Sequence, residues 1–188
     1  MNIMLMGAAG YLGRIVLRAI LDKNIKVTAV IKQEENIKMQ DYNLRIEKRD
    51  MLDPALEKVM EQHNIIVASS IFEDKSKKEQ RLLYKNIISK MKDSGVKYIL
   101  ILLEMNKEDS LERKEQILEL FKVETGIEWS VMIVPSNAKT GEKRGEYKYI
   151  DFEKEKINNS VFLEDIAEAV VNEIIEKKYI RKEFTIEY

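Results

Sequence analysis

The chain has 188 residues, 45% hydrophobic and 35% charged, a balance that suits a folded domain of ordinary size. Its 32 Lys and Arg offset 33 Asp and Glu, so a net charge of -1 gives no electrostatic reason to expect nucleic acid or an anionic membrane as partner. Cysteine is absent, which excludes disulfides, a thiolate nucleophile and cysteine metal sites.

Residues 1–6 (MNIMLM) are an apolar run expected to form a buried strand. They lack the charged region, apolar core and cleavage site of a signal peptide, and no apolar run in the chain approaches the ~20 residues of a membrane helix. The expected location is cytoplasmic. Residues 11–21 carry Leu12, Ile15, Val16, Ala19 and Ile20 at helical spacing. Residues 26–31 (KVTAVI) and 44–47 follow as strands, then a short helix at 55–61 with Pro54 where a first turn tolerates it. Residues 65–70 (IIVASS) read as a strand, and 77–92 as a helix stopped by Gly95. Residues 96–103 (VKYILILL) form the most continuous apolar strand. A helix at 110–123 and a strand at 128–134, closed by Pro135, come next. Residues 136–159 are polar and read as a long loop with room for a hairpin at 146–152, before a helix at 162–176 and a strand at 183–188. Alternating strands and helices argue for a mostly parallel sheet covered on both faces, in one domain over residues 1–188.

The stretch GAAGYLGR joins the first strand to the first helix, with Gly7, Gly10 and Gly13 three residues apart. Glycine there lets the backbone turn tightly and lets a pyrophosphate approach. The helix N-terminus then offers free N–H groups to the anion. The spacing is GxxGxxG, where the standard dinucleotide fingerprint is GxGxxG. An NAD site calls for an acid about 20 residues further on, to hold the ribose 2′-hydroxyl. Here Lys32 stands nineteen residues after Gly13, and a cation there suits the 2′-phosphate of NADP, with Arg14 able to assist. Glu34 and Glu35 follow at once and weigh the other way. NADP(H) is thus favoured over NAD(H).

GAAGYLGR, VTAVIKQ, KRDMLDP and IIVASS together resemble the N-terminal half of the atypical short-chain dehydrogenase/reductase superfamily. TGIEWSVMIVP, GEKRGEYK and the C-terminal FLEDIAEAVVNEIIEKKYIRKEFTIEY are similar to its NAD(P)H:flavin-reductase-like and NmrA-like members. The resemblance implies a Rossmann-like, doubly wound α/β sheet of order 3-2-1-4-5-6, with a seventh strand available at the C-terminus. It also implies site roles. Gly7, Ala9, Gly10, Tyr11, Leu12 and Gly13 would cradle the pyrophosphate, and Lys32 would meet the adenosine phosphate. Asp50 and Met51 would flank the adenine. Ala68, Ser69 and Ser70 would lie along the nicotinamide-side ribose, and Pro135 and Ser136 near the nicotinamide.

Standard members of that superfamily use a Tyr-x-x-x-Lys pair to move the proton that accompanies hydride transfer. None of the eight tyrosines here has a lysine four residues later. The nearest remnant is Ser110 with Lys114, and a solvated lysine on an amphipathic helix is the simpler reading of the latter. The short segment after the fifth strand, from Leu103 through Glu104 to Lys107, also departs from the family's glycine-rich loop. Flavin reduction needs no protein acid, only stacked rings and excluded solvent. Phe72, Trp129, Tyr147 and Tyr149 are candidates for stacking, each with packing as the plainer role. His63 is the only histidine, and it stands at a helix end, where a polar residue is commonplace. The expected function is therefore reduction of a flavin, quinone or similar small acceptor by NADPH, with a non-catalytic NADP-binding sensor as the alternative. The expected partner is a small-molecule substrate, with monomer and homodimer both open.

Overall fold

A computed structural model describes residues 1–69, 75–105, 110–152 and 160–188. The elements run β1 (Asn2–Met6), α1 (Tyr11–Asp22), β2 (Lys26–Ile31), β3 (Leu44–Lys48), α2 (Leu56–Met60), β4 (Ile65–Ser69), α3 (Lys77–Ser94), β5 (Tyr98–Glu104), α4 (Ser110–Lys122), β6 (Glu128–Val134), β7 (Lys148–Asp151), α5 (Leu163–Glu176) and β8 (Lys182–Glu187). They build a Rossmann-like sheet of eight strands in the order β3-β2-β1-β4-β5-β6-β8-β7. The expected order 3-2-1-4-5-6 stands, and two further strands extend it past β6.

Every pairing is parallel except that of β7 with β8. The expected local hairpin at 146–152 is therefore corrected. Its strand finds its partner in β8, with Lys148 opposite Glu187 and Asp151 opposite Phe184. A local hairpin needs a second strand within a few residues, whereas β8 already lay beside β6 with one edge unpaired.

Alternation along the strands splits the core in two. Ile3, Leu5, Ala29 and Val67 face α1 and α5, whereas Met4, Met6, Val30 and Ile66 face α2, α3 and α4. This is why strands apolar on both faces read as continuous runs. The α1 stripe of Leu12, Val16, Leu17, Ile20 and Leu21 is wholly buried. The longest helix, α3, opens on a reciprocal capping box between Ser76 and Glu79 and closes on Gly95 in the left-handed conformation, φ 77°. No helix among the described residues is long and apolar enough to cross a membrane.

The strand order reverses between β1 and β4, and at that switch point the helices diverge to opposite faces. Ligands of such sheets bind at the C-terminal ends of the strands beside this reversal. The opposite end is closed by packing. There the Glu173 carboxylate accepts from the amides of Lys178 and Tyr179 and from the hydroxyls of Tyr98 and Ser130. Burial pushes the Tyr98 phenol well above its ordinary value, so it stays a neutral donor.

Candidate functional site

The C-terminal end of β1 runs into the glycine turn. Gly7 takes φ 79°, a left-handed conformation in which a side chain is strained. The Gly10 N–H donates to the Gly7 carbonyl at 3.0 Å, and Gly10 serves as the N-cap of α1 without a side-chain cap. A Cβ on Gly13 would run into that same Gly7 carbonyl, so the third glycine lets α1 pack onto the strand end. The first α-helical bond is from Arg14 N–H to the Gly10 carbonyl, 3.0 Å. The amides of Tyr11, Leu12 and Gly13 have no backbone acceptor among the described residues, as the first turn of a helix requires.

A groove of about 590 Å³ opens over this turn. Gly7, Gly10 and Gly13 form its floor, Ile31 and Lys32 at the end of β2 one wall, and Ser69 at the end of β4 another. Asp50 and Met51, after β3, line its far end together with Leu52, Leu82 and Leu83. Six of the expected contacts beyond the first glycine thus meet in one depression: Gly10, Gly13, Lys32, Asp50, Met51 and Ser69.

Ser69 is 2% exposed, and its hydroxyl has no hydrogen-bond partner among the described residues. A buried hydroxyl without a partner is costly, which makes Ser69 a candidate donor to a ligand of the groove. The Asp50 carboxylate accepts from the Leu52 amide at 2.7 Å, so it shapes its own turn as well as facing the groove. Asp53 ties the next turn through the Ala55 amide and Arg49, which hold its carboxyl below the usual carboxylate range. The Arg14 side chain folds back so that Nε donates to the Ala9 carbonyl at 2.8 Å, setting the guanidinium against the glycine turn.

The remaining expected residues stand around the groove without lining it. Leu12 is 2% exposed and packs in the core, leaving its amide as the part that faces the turn. Tyr11 is exposed and Ala9 half-buried. Ala68 is buried beneath Ser69. Pro135 is buried and Ser136 exposed at the end of β6. Ser70 and Phe72 lie outside the described residues, as does Lys107. The sequence reading missed the contribution of α3, whose Glu79, Leu82 and Leu83 reach the groove. No sequence signal marks it: Leu82 is exposed and Leu83 buried in the structure, yet both read alike as apolar positions of one helix.

The reading of Lys114 as solvated is corrected. It is 6% exposed, and its ammonium lies 2.5 Å from the Glu183 carboxylate, itself 3% exposed. It also lies 3.2 Å from Glu115 and 4.9 Å from the centre of the Phe152 ring. Burial would lower the lysine's affinity for its proton, but the carboxylates more than offset this, and the net shift is upward. Lys114 is therefore a fixed cation holding α4 to β8.

The candidate stacking aromatics are likewise engaged. Trp129 is 2% exposed in the core. Tyr147 meets Tyr149 edge-on at 5.6 Å, and Tyr149 stacks on Tyr179 at 5.5 Å. The loop before β7 is pinned to α5. Asp165 accepts from the amides of Arg144 and Gly145 and from the Tyr188 hydroxyl, and Glu164 accepts from Gly141 N–H. GEKRGEYK thus acts as an anchor for this loop.

Among the described residues, the groove offers first-turn amides without acceptors over a floor of glycines, a buried hydroxyl without a partner and an exposed cation. That set suits an extended anion with sugar hydroxyls. A family model described as NAD(P)H-binding matches residues 7–177. Solved structures share the fold. A candidate epimerase from Bacteroides thetaiotaomicron is 23% identical with a TM-score of 0.85, over 100% of this chain and 96% of its own. A candidate NADH-flavin reductase from Streptococcus pneumoniae is 15% identical with a TM-score of 0.78, over 99% and 98%. An anaerobilin reductase from Escherichia coli O157:H7 is 13% identical with a TM-score of 0.74, over 99% and 96%. No curated protein sequence matches the chain.

Proposed function

This chain belongs to the NAD(P)H-binding family, and we propose that it is a reductase that passes hydride from NADPH to a small acceptor such as a flavin or quinone. The observation that carries the cofactor half is the cradle itself. Side chains on Gly10 or Gly13 would crowd or overlap the Gly7 carbonyl, and Ser69, whose buried hydroxyl has no partner among the described residues, lines the same groove. The first-turn amides of α1 would hold the pyrophosphate, Ser69 a ribose hydroxyl, and Lys32 the 2′-phosphate. Bound there, NADPH supplies the hydride.

The acceptor half rests on what the chain lacks and on how Lys114 is used. No tyrosine precedes a lysine by four residues, and the lysine of the nearest remnant is held by Glu183. An acceptor that takes hydride without a protein acid fits such a site better than a carbonyl does. Among the similar folds, one protein bears the name of a flavin reductase and another that of an anaerobilin reductase. The same buried Lys114 favours a second reading, a nucleotide-binding module without turnover.

Turnover separates the two. The purified protein is mixed with NADPH and, in turn, FMN, FAD and a short-chain quinone, and NADPH oxidation is followed by absorbance. Oxidation dependent on acceptor and abolished by Gly10→Val supports the reductase. Binding of NADPH with no oxidation by any acceptor leaves the sensor.

A further inference from the structure

We propose that the chain carries a second binding site, for a small aromatic carboxylate, in a cavity at the N-terminal ends of β1, β2 and β3, and that filling it is coupled to protonation of His63. The cavity, of about 380 Å³, lies at the other end of the sheet from the glycine turn. It sits on the β3 side, away from the Glu173 cluster at β5 and β6. Its volume falls in the range of small-molecule sites. Val27 and Leu44 give it apolar surface, and Lys26, Tyr42, Arg45 and His63 supply the groups that select a ligand.

Charge points to the class of ligand. Among the described residues, two cations line the cavity and no carboxylate does. Arg45 is already met by the Glu47 carboxylate, and it donates to the Gln62 side-chain oxygen at 3.1 Å. Lys26 is exposed and has no ion-pair partner among the described residues. The uncompensated charge is therefore a single positive one, which suits a monoanion better than a phosphate dianion. The Tyr42 ring is 97% exposed, so its face is open to the ring of a planar ligand.

His63 joins this cavity to the core, and its two ring nitrogens fix what protonation does. The Val59 carbonyl can only accept, so Nδ1 carries the proton of that 2.6 Å bond. Neutral His63 therefore accepts at Nε2 from the Thr28 hydroxyl, 2.8 Å away. Thr28 also lines the cavity, and its one hydroxyl proton is spent on the ring. Protonation reverses this bond: Nε2 then donates, and the Thr28 proton turns elsewhere. Among the described residues that hydroxyl has no second partner. A carboxylate in the cavity accepts the released proton's hydrogen bond and gains a second positive charge beside it. The charged groups around the ring are Arg45 and Glu47 of β3, paired with each other, and Lys26 of β2 across the cavity. From β1 comes the neutral Asn2. Burial disfavours the charged ring, and an anion beside it offsets that cost. Carboxylate and proton thus each raise the affinity for the other.

The test uses the full chain, with benzoate as probe and benzyl alcohol as its uncharged counterpart. Benzoate stays ionised between about pH 5.5 and 7.5, as carboxylates do. Calorimetric titration should show benzoate bound at least about tenfold more tightly than benzyl alcohol, and several-fold more tightly at the lower pH. Lys26→Gln should weaken benzoate at both pH values, and Gly10→Val should leave it unchanged. His63→Gln should erase the pH dependence. His63 is the only histidine, so its ring signals in NMR report the coupling in the unaltered protein. Benzoate should move their titration midpoint upward. Absence of benzoate binding, or equal binding of benzyl alcohol, overturns the site. Loss of binding in Gly10→Val, or competition by NADPH, places benzoate in the groove and overturns it too. A midpoint that benzoate leaves in place overturns the coupling to His63. The nucleotide reading of the groove stands or falls separately, in its own titration.

Discussion

At the scale of single residues, the glycines divide their work. Gly7 supplies a left-handed φ, Gly13 lets a helix approach a strand end, and Gly10 keeps the floor of the groove low. Gly13→Ala should cost about 1–3 kcal/mol of stability in denaturant melts, because its Cβ must displace backbone. Gly10→Val should instead abolish nucleotide binding in a titration while the protein keeps its fold. Ser69 carries a more discriminating expectation, since its hydroxyl is buried and unpartnered among the described residues. Ser69→Ala should leave the free protein as stable or up to about 1 kcal/mol more so, yet weaken nucleotide binding several-fold. A mere strand-ending serine would leave binding alone. The glycines were legible in the sequence because a backbone geometry demanded that residue type. The lone hydroxyl of Ser69 was not, because its isolation depends on what packs around it.

At the scale of elements, the decisive contact joins α4 to β8 across 69 positions of sequence, from Lys114 to Glu183. A helical pattern reports which face of α4 is apolar. It does not report that an acid from a later strand waits inside that face. Only the insertion of β8 beside β6 brings Glu183 there. Breaking such a pair strands a buried charge, so Lys114→Met should cost about 3–5 kcal/mol. Replacing Glu183 by Leu in the same protein should recover most of that loss, measured by the shift in denaturant midpoint. Nucleotide affinity of the double variant should match wild type, because Lys114 serves packing. The loop before β7 teaches the same lesson. Its polar composition gave the loop, but Asp165, Glu164 and Glu168 on α5 decide where it lies.

At the scale of the whole molecule, the strand order was legible because alternating apolar runs and amphipathic helices admit few right-handed topologies. The edge was less so, since β7 is short, half-exposed and paired to a strand that follows it by a full helix. His63 extends the account to global stability. Its ring lies 2.6 Å from the Val59 carbonyl and 2.8 Å from the Thr28 hydroxyl, and burial holds its pKa below the ordinary 6.5. Such a group binds its proton more readily in the unfolded chain. The stability it supports is full above its ordinary value and is lost as the pH falls below it. Wild type should therefore lose up to about 1.4 kcal/mol per pH unit more than His63→Gln over that range, read from urea melts.

The claim on which the functional account rests is that the groove over the glycine turn holds a dinucleotide. Calorimetric titration of nucleotide-stripped protein with NADPH, then NADH, tests it most directly. The account predicts saturable binding of one nucleotide per chain, lost in Gly10→Val. Heat no greater than dilution for both nucleotides would contradict it.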